Sequence, residues 1–305
     1  MNRTIHVAIG PKLPEFGSWN WLGEGLSANL HFPFVVKQFA DSNQPPEADI
    51  VVYIKFLPAQ QQLAKVARES KVVFFPVDLH GGCHEIDEAY ESYRLLSRVI
   101  VNSRRLARYF HGYCDITYLD HPLKYALAEP RLTNDDGPLI WIDQECNLQP
   151  VLEWVNSRHL KRELWVLSNF VSSSKQLGFA KLGIRTENWT VTRHCEYLKV
   201  ATAAIDIKGN NFRARHKPPA KAFDYLVSGI PVIVNQGSSA DLHISRLGFS
   251  NLYPETWQSE LNSDYRQTVF EFAKGLHEVL GPQIVWHKMR DVLWSMISTD
   301  ACQHG

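Results

Sequence analysis

The sequence predicts an α/β protein with two doubly wound parallel sheets and additional helices at its C-terminal end. Short apolar runs rich in Val and Ile alternate with amphipathic or polar stretches, the pattern of strands joined by helical crossovers. The runs lack regularly alternating polar residues, so each predicted strand is covered on both faces, as in a parallel sheet. The alternation stops near the middle of the chain and then restarts, which predicts two domains.

The first half contains a series of predicted strands with helices between them. The strands are IHVAIG (5–10), FPFVVKQF (32–39), DIVVYIKF (49–56), KVVFFPVD (71–78) and RVIVNS (98–103). The helices are at 18–30, 58–70, 85–96 and 103–111. A polar segment with two prolines, EPRLTNDDGP (129–138), follows, and we place the domain boundary within 121–138.

The second half repeats this pattern and then changes to long helices. Its strands are PLIWID (138–143), ELWVLS (163–168), ENWTVT (187–192), TAAIDI (202–207) and IPVIV (230–234). Helices fit 147–157, 174–182, 193–200, 217–228 and 237–247, and two longer ones fit 262–280 and 282–298.

Length and charge narrow the functional classes. At 305 residues the chain exceeds a typical single domain. Hydrophobic residues make up 45% of it, enough to build cores, and 32 basic residues balance 32 acidic ones. A chain without net charge is a poor general nucleic-acid binder, so we expect no nucleic-acid partner.

Cysteine usage and hydropathy indicate the compartment. The five cysteines are scattered, odd in number and without C-x-x-C spacing, which predicts free thiols in a reducing compartment. No signal peptide or membrane-spanning run is visible, because the longest apolar runs are strand-sized. We therefore expect a cytoplasmic protein, and peripheral contact with a membrane surface stays open.

The segment from Arg213 to Asn235 joins a basic loop, a helix start and a buried strand. No carboxylate lies between Asn210 and Phe223. Basic or imidazole side chains instead fill a nine-residue stretch, at Arg213, Arg215, His216, Lys217 and Lys221. Pro218 and Pro219 suit the first turn of a helix, and Gly229 suits the left-handed position after it.

A helix over 217–228 would place Lys217, Lys221 and Asp224 on one face. Cations at a helix N-terminus oppose the helix dipole, and a bound diphosphate would remove that conflict. Asp224, one turn deeper, could then accept hydrogen bonds from a ribose diol. The alternative is a solvated charged face on which Lys221 and Asp224 only pair with each other.

The stretch KPPAKAFDYLVSGIPVIV (217–234) resembles the donor-binding segment of GT-B fold glycosyltransferases, in particular the group 1 or family 4-like members. Their pattern is close to P-x-K-x-F-E-Y-x-x-x-G-x-P-V-[IV]. Direct matches are Pro219, Lys221, Phe223, Tyr225, Gly229, Pro231 and Val232. Asp224 stands where the family usually has Glu. Many retaining members carry two glutamates with seven residues between them, and His216 stands at the position of the first, so the stereochemical class stays open.

The resemblance implies two Rossmann-like domains facing across a cleft. Residues 1–121 would form the acceptor-side domain and 122–305 the nucleotide-sugar-binding domain, with the last helix crossing back to the first. The implied activity moves a hexosyl or related sugar from a nucleotide diphosphate sugar to a hydroxyl of a glycan, lipid-linked or small-molecule acceptor. No further cofactor is implied. No D-x-D motif is present, so we expect the basic groups to replace a divalent metal.

Active-site residues should follow the carboxyl ends of parallel strands. The first loop, 10–23, carries Glu15, a candidate catalytic carboxylate, and Gly17. The resemblance implies that a glycine of this loop approaches the donor phosphates, and the alternative is a loop packed for stability. In the loop 77–85, Asp78 or His80 could take the proton of the acceptor hydroxyl. Either could equally bind the acceptor or cap the helix that follows.

Two further positions follow from the resemblance. Asn169 lies in a loop that approaches the donor in the family, and Arg193 lies near the place where the family holds the nucleotide base. A surface salt bridge is the alternative for Arg193.

Two other functional classes remain. A nucleotide-sugar epimerase can share this fold and needs no acceptor. A catalytically silent nucleotide-sugar-binding subunit is also compatible, because His216 replaces an expected Glu.

Overall fold

The computed structural model describes residues 4–157, 160, 162–170 and 178–301. Contacts divide the chain into two compact units. Unit 1 comprises Met1–Pro122, Asn211–Pro218 and Leu280–Gly305, and unit 2 comprises Leu123–Asn210 and Pro219–Val279.

Unit 1 contains a six-stranded parallel sheet in the order β2-β1-β3-β4-β5-β6. The strands are β1 Ile5–Gly10, β2 Phe34–Gln38, β3 Ile50–Ile54, β4 Lys71–Phe75, β5 Arg98–Val101 and β6 Ile116–Tyr118. After β1 the chain adds β2 on one side and then returns to add β3 on the other. The carboxyl ends of β1 and β3 therefore form the point where strand order reverses, which is where open α/β sheets bind ligands.

Both faces of this sheet are covered, as the apolar strands predict. Alternate strand residues point into two cores: Val7 and Val52 into one, Ala8 and Val51 into the other. The helix Pro282–Ala301 supplies Trp286 to the first core. The helical segments of unit 1 are the π-helix Trp19–Gly23 and the α-helices Glu24–Asn29, Gln60–Glu69, Cys83–Glu88, Tyr90–Tyr93, Arg104–Ala107, Phe212–His216 and Pro282–Ala301.

Unit 2 contains a five-stranded parallel sheet in the order β11-β10-β7-β8-β9. The strands are β7 Leu139–Ile142, β8 Leu164–Ser168, β9 Ile184–Asn188, β10 Ala203–Asp206 and β11 Val232–Val234. Strand order reverses between β7 and β10. The described helical segments are the 3-10 helix Glu145–Asn147 and the α-helices Gln149–Asn156, Val191–Val200, Ala220–Val227, Ser239–Arg246, Trp257–Glu260 and Ser263–Leu280.

The predicted α/β class with two parallel sheets is confirmed. Gly229 has the expected left-handed conformation, with φ of 78°. A Cβ at this position would lie 2.2 Å from the carbonyl oxygen of Arg131, so both the conformation and the close approach require glycine. Among the described residues, no helix is long and apolar enough to cross a membrane.

Several predicted boundaries are wrong. The helix expected over 217–228 begins only at Ala220, because a separate short helix, Phe212–His216, ends just before Lys217. Asn211 starts that short helix by accepting a hydrogen bond from the Ala214 N–H at 2.9 Å. Lys217 therefore does not share a helical face with Lys221 and Asp224.

The other differences are also local. The strand expected at 187–192 ends at Asn188, and Thr190 caps the helix that starts at Val191. The single helix expected over 85–96 is two short ones, Cys83–Glu88 and Tyr90–Tyr93. Strand β6 was not predicted. Much of the helix expected at 174–182 lies outside the described residues.

Candidate active site

Two buried carboxylates mark the reversal point of the unit 2 sheet. Asp143 directly follows β7, and Asp206 is the last residue of β10. Each is paired with a lysine: Asp143 Oδ1 with Lys221 Nζ, and Asp206 Oδ2 with Lys208 Nζ at 2.7 Å. Buried carboxylates require such partners. The edge where a ligand of unit 2 is expected therefore carries two lysines whose charges are balanced locally.

The helix Ala220–Val227 brings Lys221 to this edge. It follows Pro218 and Pro219, and its first turn contains no acidic residue. Lys221 is the second residue of the helix, where a cation opposes the helix dipole. Asp143 supplies the compensating negative charge, and the Gln144 N–H further holds that carboxylate with a hydrogen bond of 2.7 Å.

Asp224, one turn further along the same helix, is almost completely buried, with 1% of its surface exposed. The Lys124 N–H donates a hydrogen bond of 3.2 Å to Oδ1. The other oxygen, Oδ2, is buried without a hydrogen-bond partner among the described residues. Burial raises the pKa of this carboxyl to about 7, although the backbone N–H groups of Lys124 and Tyr125 and the charge of Lys221 oppose the rise. Asp224 thus retains capacity to accept a further hydrogen bond.

An aromatic group lies beside these charged residues. The Tyr125 ring is 5.5 Å from that of Trp189 and 5.1 Å from that of His194. Trp189 Nε1 donates to His194 Nδ1 at 3.3 Å, which puts the imidazole proton on Nε2. Burial and the charge of Lys221 lower the pKa of His194 to about 3, so the ring is neutral. Trp189 is 38% exposed and offers a flat ring just after β9.

Two of the predicted nucleotide-binding residues lie at the surface of unit 2. Arg193 forms ion pairs with Glu187 at 3.0 Å and Glu196 at 2.7 Å, so the surface salt bridge considered for it is present. Asn169 is exposed after β8, and its Oδ1 accepts a hydrogen bond of 3.1 Å from the Glu145 N–H.

In unit 1, Asp78 and His80 follow β4 but have different surroundings. Asp78 Oδ1 pairs with Lys55 Nζ at 3.0 Å and is partly exposed. His80 is buried, and its Nε2 lies 2.9 Å from the Tyr93 hydroxyl. Burial lowers the pKa of His80 to about 4; the Glu85 charge opposes this and Arg213 reinforces it. Asp78 is therefore the more accessible of the two predicted bases.

The loop after β1 carries Glu15 and Gly17, and both are exposed. A Cβ on Gly17 would meet no atom within 4 Å, so local packing does not require glycine there. Phe16, between them, packs its ring edge-on against Phe56 with centroids 5.3 Å apart.

The predicted phosphate-binding residues are divided between the units. Arg213, Arg215 and Lys217 belong to unit 1, whereas Lys221 belongs to unit 2. Arg213 Nη2 donates to the Leu79 carbonyl oxygen at 2.8 Å. Arg215 is exposed, and Lys217 follows the last residue of the short helix.

His216, at the position of the family's first Glu, is packed inside unit 1. Its ring stacks on Phe212 with centroids 4.0 Å apart, and Nδ1 donates to the Phe212 carbonyl oxygen at 2.7 Å. Its pKa is lowered by burial and by the charges of Arg105, Arg108 and Arg215. His216 therefore differs from a glutamate in both charge and surroundings.

Sequence reasoning missed Asp143, Trp189 and Lys55. Asp143 ends the predicted strand 138–143 and Lys55 is the last but one residue of the predicted strand 49–56, so a position near the carboxyl end of a strand was the available signal for these two. Trp189 was placed inside the predicted strand 187–192, whereas the strand ends at Asn188. Within the described residues, no group of three or more His, Cys, Asp or Glu side chains is arranged to hold a metal ion.

No protein-family model matches the sequence, and comparison with curated protein sequences finds no relative. Solved structures do match the fold. AviGT4, a glycosyltransferase involved in avilamycin A biosynthesis, is 12% identical with a TM-score of 0.63, over 97% of this chain and 98% of its own. The pneumococcal O-GlcNAc transferase GtfA, solved with UDP and GlcNAc, is 10% identical with a TM-score of 0.60, over 81% of this chain and 57% of its own.

A third match comes from Listeria monocytogenes, a candidate UDP-N-acetylglucosamine 2-epimerase. It is 12% identical with a TM-score of 0.55, and the alignment covers 97% of each chain. The two sheets and these similarities define the class of protein: an α/β protein with the GT-B glycosyltransferase-like fold. The sequence resemblance in the segment 217–234 had predicted this fold.

Proposed function

We propose that this protein is a glycosyltransferase that moves a sugar from a nucleotide diphosphate sugar to an acceptor hydroxyl. In this reaction the acceptor oxygen bonds to C1 of the sugar, and the bond from C1 to the phosphate oxygen breaks. The nucleoside diphosphate leaves with the electron pair of that bond. The acceptor proton passes to a base if configuration inverts, or to the departing phosphate oxygen if it is retained.

The observation that carries the proposal is the arrangement at the reversal point of unit 2. Lys221 there can exchange its pairing with Asp143 for a phosphate, and Lys208 lies in the loop just after the neighbouring strand β10. Cations so placed stabilise the charge that builds on a leaving diphosphate. We assign the ribose to Asp224 on the family resemblance. Its Oδ2 has no hydrogen-bond partner among the described residues, and because this oxygen is buried, a ribose hydroxyl reaches it only if the neighbouring groups move.

The exposed ring of Trp189, backed by Tyr125 and His194, suits the flat face of a nucleobase. We propose supporting roles for Gly17, Arg213, Arg215 and Lys217 toward the phosphates, and for Asn169 and Arg193 toward the nucleotide. These roles follow the family resemblance. On the acceptor side we propose Asp78 as the base, with His80 and Glu15 as alternatives.

An epimerase is the second candidate function, favoured by the similarity to the Listeria protein over 97% of both chains. It would bind the same donor at the same residues but need no acceptor. A donor sugar whose configuration changes when no acceptor is present would identify it.

The first experiment is a thermal-shift screen with UDP-, GDP-, ADP-, CDP- and dTDP-sugars. A ligand that binds only the folded state raises the melting temperature. UDP-sugars come first, because GtfA was solved with UDP. We expect one nucleotide class to stabilise the protein, and transfer to a panel of sugar acceptors to follow.

A protein that no nucleotide sugar stabilises would contradict the proposal. Binding without turnover of any acceptor or epimerisation would favour the silent binding subunit.

A further inference from the structure

Lys55 and Asp78 form an ion pair at the carboxyl ends of neighbouring strands of unit 1. Lys55 Nζ lies 3.0 Å from Asp78 Oδ1, and the two side chains are 18% and 21% exposed. Strand β3, which Lys55 follows directly, flanks the reversal point of this sheet. The pair therefore lies where a ligand of unit 1 is expected to bind.

The backbone on both sides of this pair is strained. Lys55 has φ of 69°, and Val77, the residue before Asp78, has φ of 53°. The left-handed conformation is uncommon without glycine and is a clear outlier for a β-branched residue. Two such residues cost more free energy than a partly exposed ion pair contributes. Stabilisation by the pair alone therefore does not account for the strain, and strain of this kind concentrates at functional sites.

Aromatic rings hold the lysine in place. Lys55 Nζ lies 4.8 Å from the centroid of Phe16 and 6.0 Å from that of Phe56. Phe16 comes from the loop after β1, so that loop and the ends of β3 and β4 meet at the ammonium group. The rings restrict the direction from which Lys55 reaches Asp78, and both rings are only half-buried.

We propose that Lys55 is a positioning residue for sugar transfer and that the acceptor is a saccharide, one of whose hydroxyl groups binds to Asp78. Lys55 holds Oδ1 of Asp78, so the second oxygen of the carboxylate is directed to accept a hydrogen bond from the acceptor hydroxyl. Phe16 and Phe56 lie beside it as apolar surfaces for a sugar ring. This inference rests on the proposed function and adds to it a residue and an acceptor class.

The test compares Lys55→Met, which keeps most of the side-chain length without the charge, with Lys55→Arg and the control Lys65→Met. Lys65 is exposed on the helix Gln60–Glu69 of the same unit. Transfer is measured from the nucleotide sugar selected by the thermal-shift screen to a panel of methyl glycosides.

We expect Lys55→Met to lower kcat/KM for the acceptor roughly 10²-fold, the usual effect of a misplaced catalytic group. The KM for the donor and the melting temperature should stay near wild-type values. Lys55→Arg should restore most of the rate, and Lys65→Met should behave as wild type. The proposal is overturned if Lys55→Met leaves kcat/KM for the acceptor unchanged. It is also overturned if the loss parallels lower thermal stability and Lys55→Arg does not show the wild-type rate.

Saturation-transfer NMR with the same methyl glycosides tests the site without turnover. We expect the wild type to bind at least one glycoside, and both Lys55→Met and Asp78→Asn to bind it more weakly. A wild type that binds nucleotide but neither binds nor transfers to any methyl glycoside overturns this inference and leaves the donor site standing. Lys55-dependent glycoside binding by a protein that binds no nucleotide would support the saccharide site at Lys55 and Asp78, but it would contradict the proposed function and, with it, the role of Lys55 in transfer.

Discussion

Lys221 is the single residue on which the donor-phosphate proposal depends most. We expect Lys221→Ala to lower kcat/KM by a factor that corresponds to roughly 1.5–3 kcal/mol of lost transition-state stabilisation, the usual strength of a charge-assisted contact. Nucleotide binding should also weaken. Steady-state kinetics and calorimetry with the nucleotide diphosphate measure both effects. Lys199→Ala, at an exposed position in the same unit, serves as the matched control.

The ion pair with Asp143 complicates this test, because removing Lys221 alone leaves a buried carboxylate without that partner. The double variant Asp143→Asn/Lys221→Met removes both charges and separates loss of stability from loss of phosphate binding. If it retains wild-type nucleotide affinity, the phosphate role of Lys221 is wrong.

Asp224 gives a prediction about stability and pH. Burial raises its pKa in the folded protein from 3.8 to about 7. Below pH 4 the carboxyl is protonated in both the folded and the unfolded state. Between about pH 4 and pH 7 the unfolded chain releases the proton while the folded protein keeps it, so the free energy of unfolding falls as pH rises. The loss is complete above pH 7, and each interval of one pH unit between the two pKa values adds about 1.4 kcal/mol to it.

Asp224→Asn should lack this loss. Its stability relative to wild type should therefore increase from pH 4 to pH 8, as measured by urea unfolding at both values. Asp136→Asn, at an exposed position of unit 2, is the matched control. A constant difference between Asp224→Asn and wild type would mean that Asp224 ionises with an ordinary pKa.

At the scale of the element, Gly229 ends the helix Ala220–Val227 and allows the turn into β11. Gly229→Ala would place a Cβ 2.2 Å from the Arg131 carbonyl oxygen, in a conformation that costs an ordinary residue about 1–2 kcal/mol. We expect a destabilisation clearly larger than this, read from the melting temperature or from denaturant unfolding.

Gly248→Ala provides the comparison for this variant. Gly248 has φ of 81°, but a Cβ there meets nothing within 4 Å, so only the conformational cost applies. Equal losses in the two alanine variants would show that the turn relaxes away from Arg131.

The sequence predicted elements much better than the contacts between them. The apolar runs and Gly229 depend on local pattern and backbone conformation, which a short window contains. The partner of Lys221 is Asp143, nearly eighty residues away, and only the strand order brings the two together. Likewise, Pro218 and Pro219 do precede the start of a helix, as predicted, but the short helix before them was not predicted. The two prolines separate that short helix of unit 1 from the longer one of unit 2.

At the scale of the whole molecule, each unit has an edge where its own strand order reverses, which is where open α/β sheets bind ligands. The edge of unit 2 carries lysines, a buried carboxylate and an aromatic ring, whereas that of unit 1 carries Lys55, Asp78 and half-buried aromatic rings. This difference supports our proposal that unit 2 binds the nucleotide and unit 1 binds the acceptor.

Transfer with inversion requires a general base that takes the proton of the acceptor hydroxyl. If the enzyme inverts, Asp78→Asn should lower kcat about 10²–10⁴-fold, the range for loss of a general base, with donor binding nearly unchanged. His80→Ala should lower it less, because His80 Nε2 is already engaged with the Tyr93 hydroxyl. The test measures transfer by each variant and determines the product anomer by NMR.

Inversion with both variants near full rate would exclude this loop and make Glu15 the next candidate. Retention would remove the need for a base on the acceptor side, so Asp78 would then serve to orient the hydroxyl and its loss would raise the acceptor KM more than it lowers kcat.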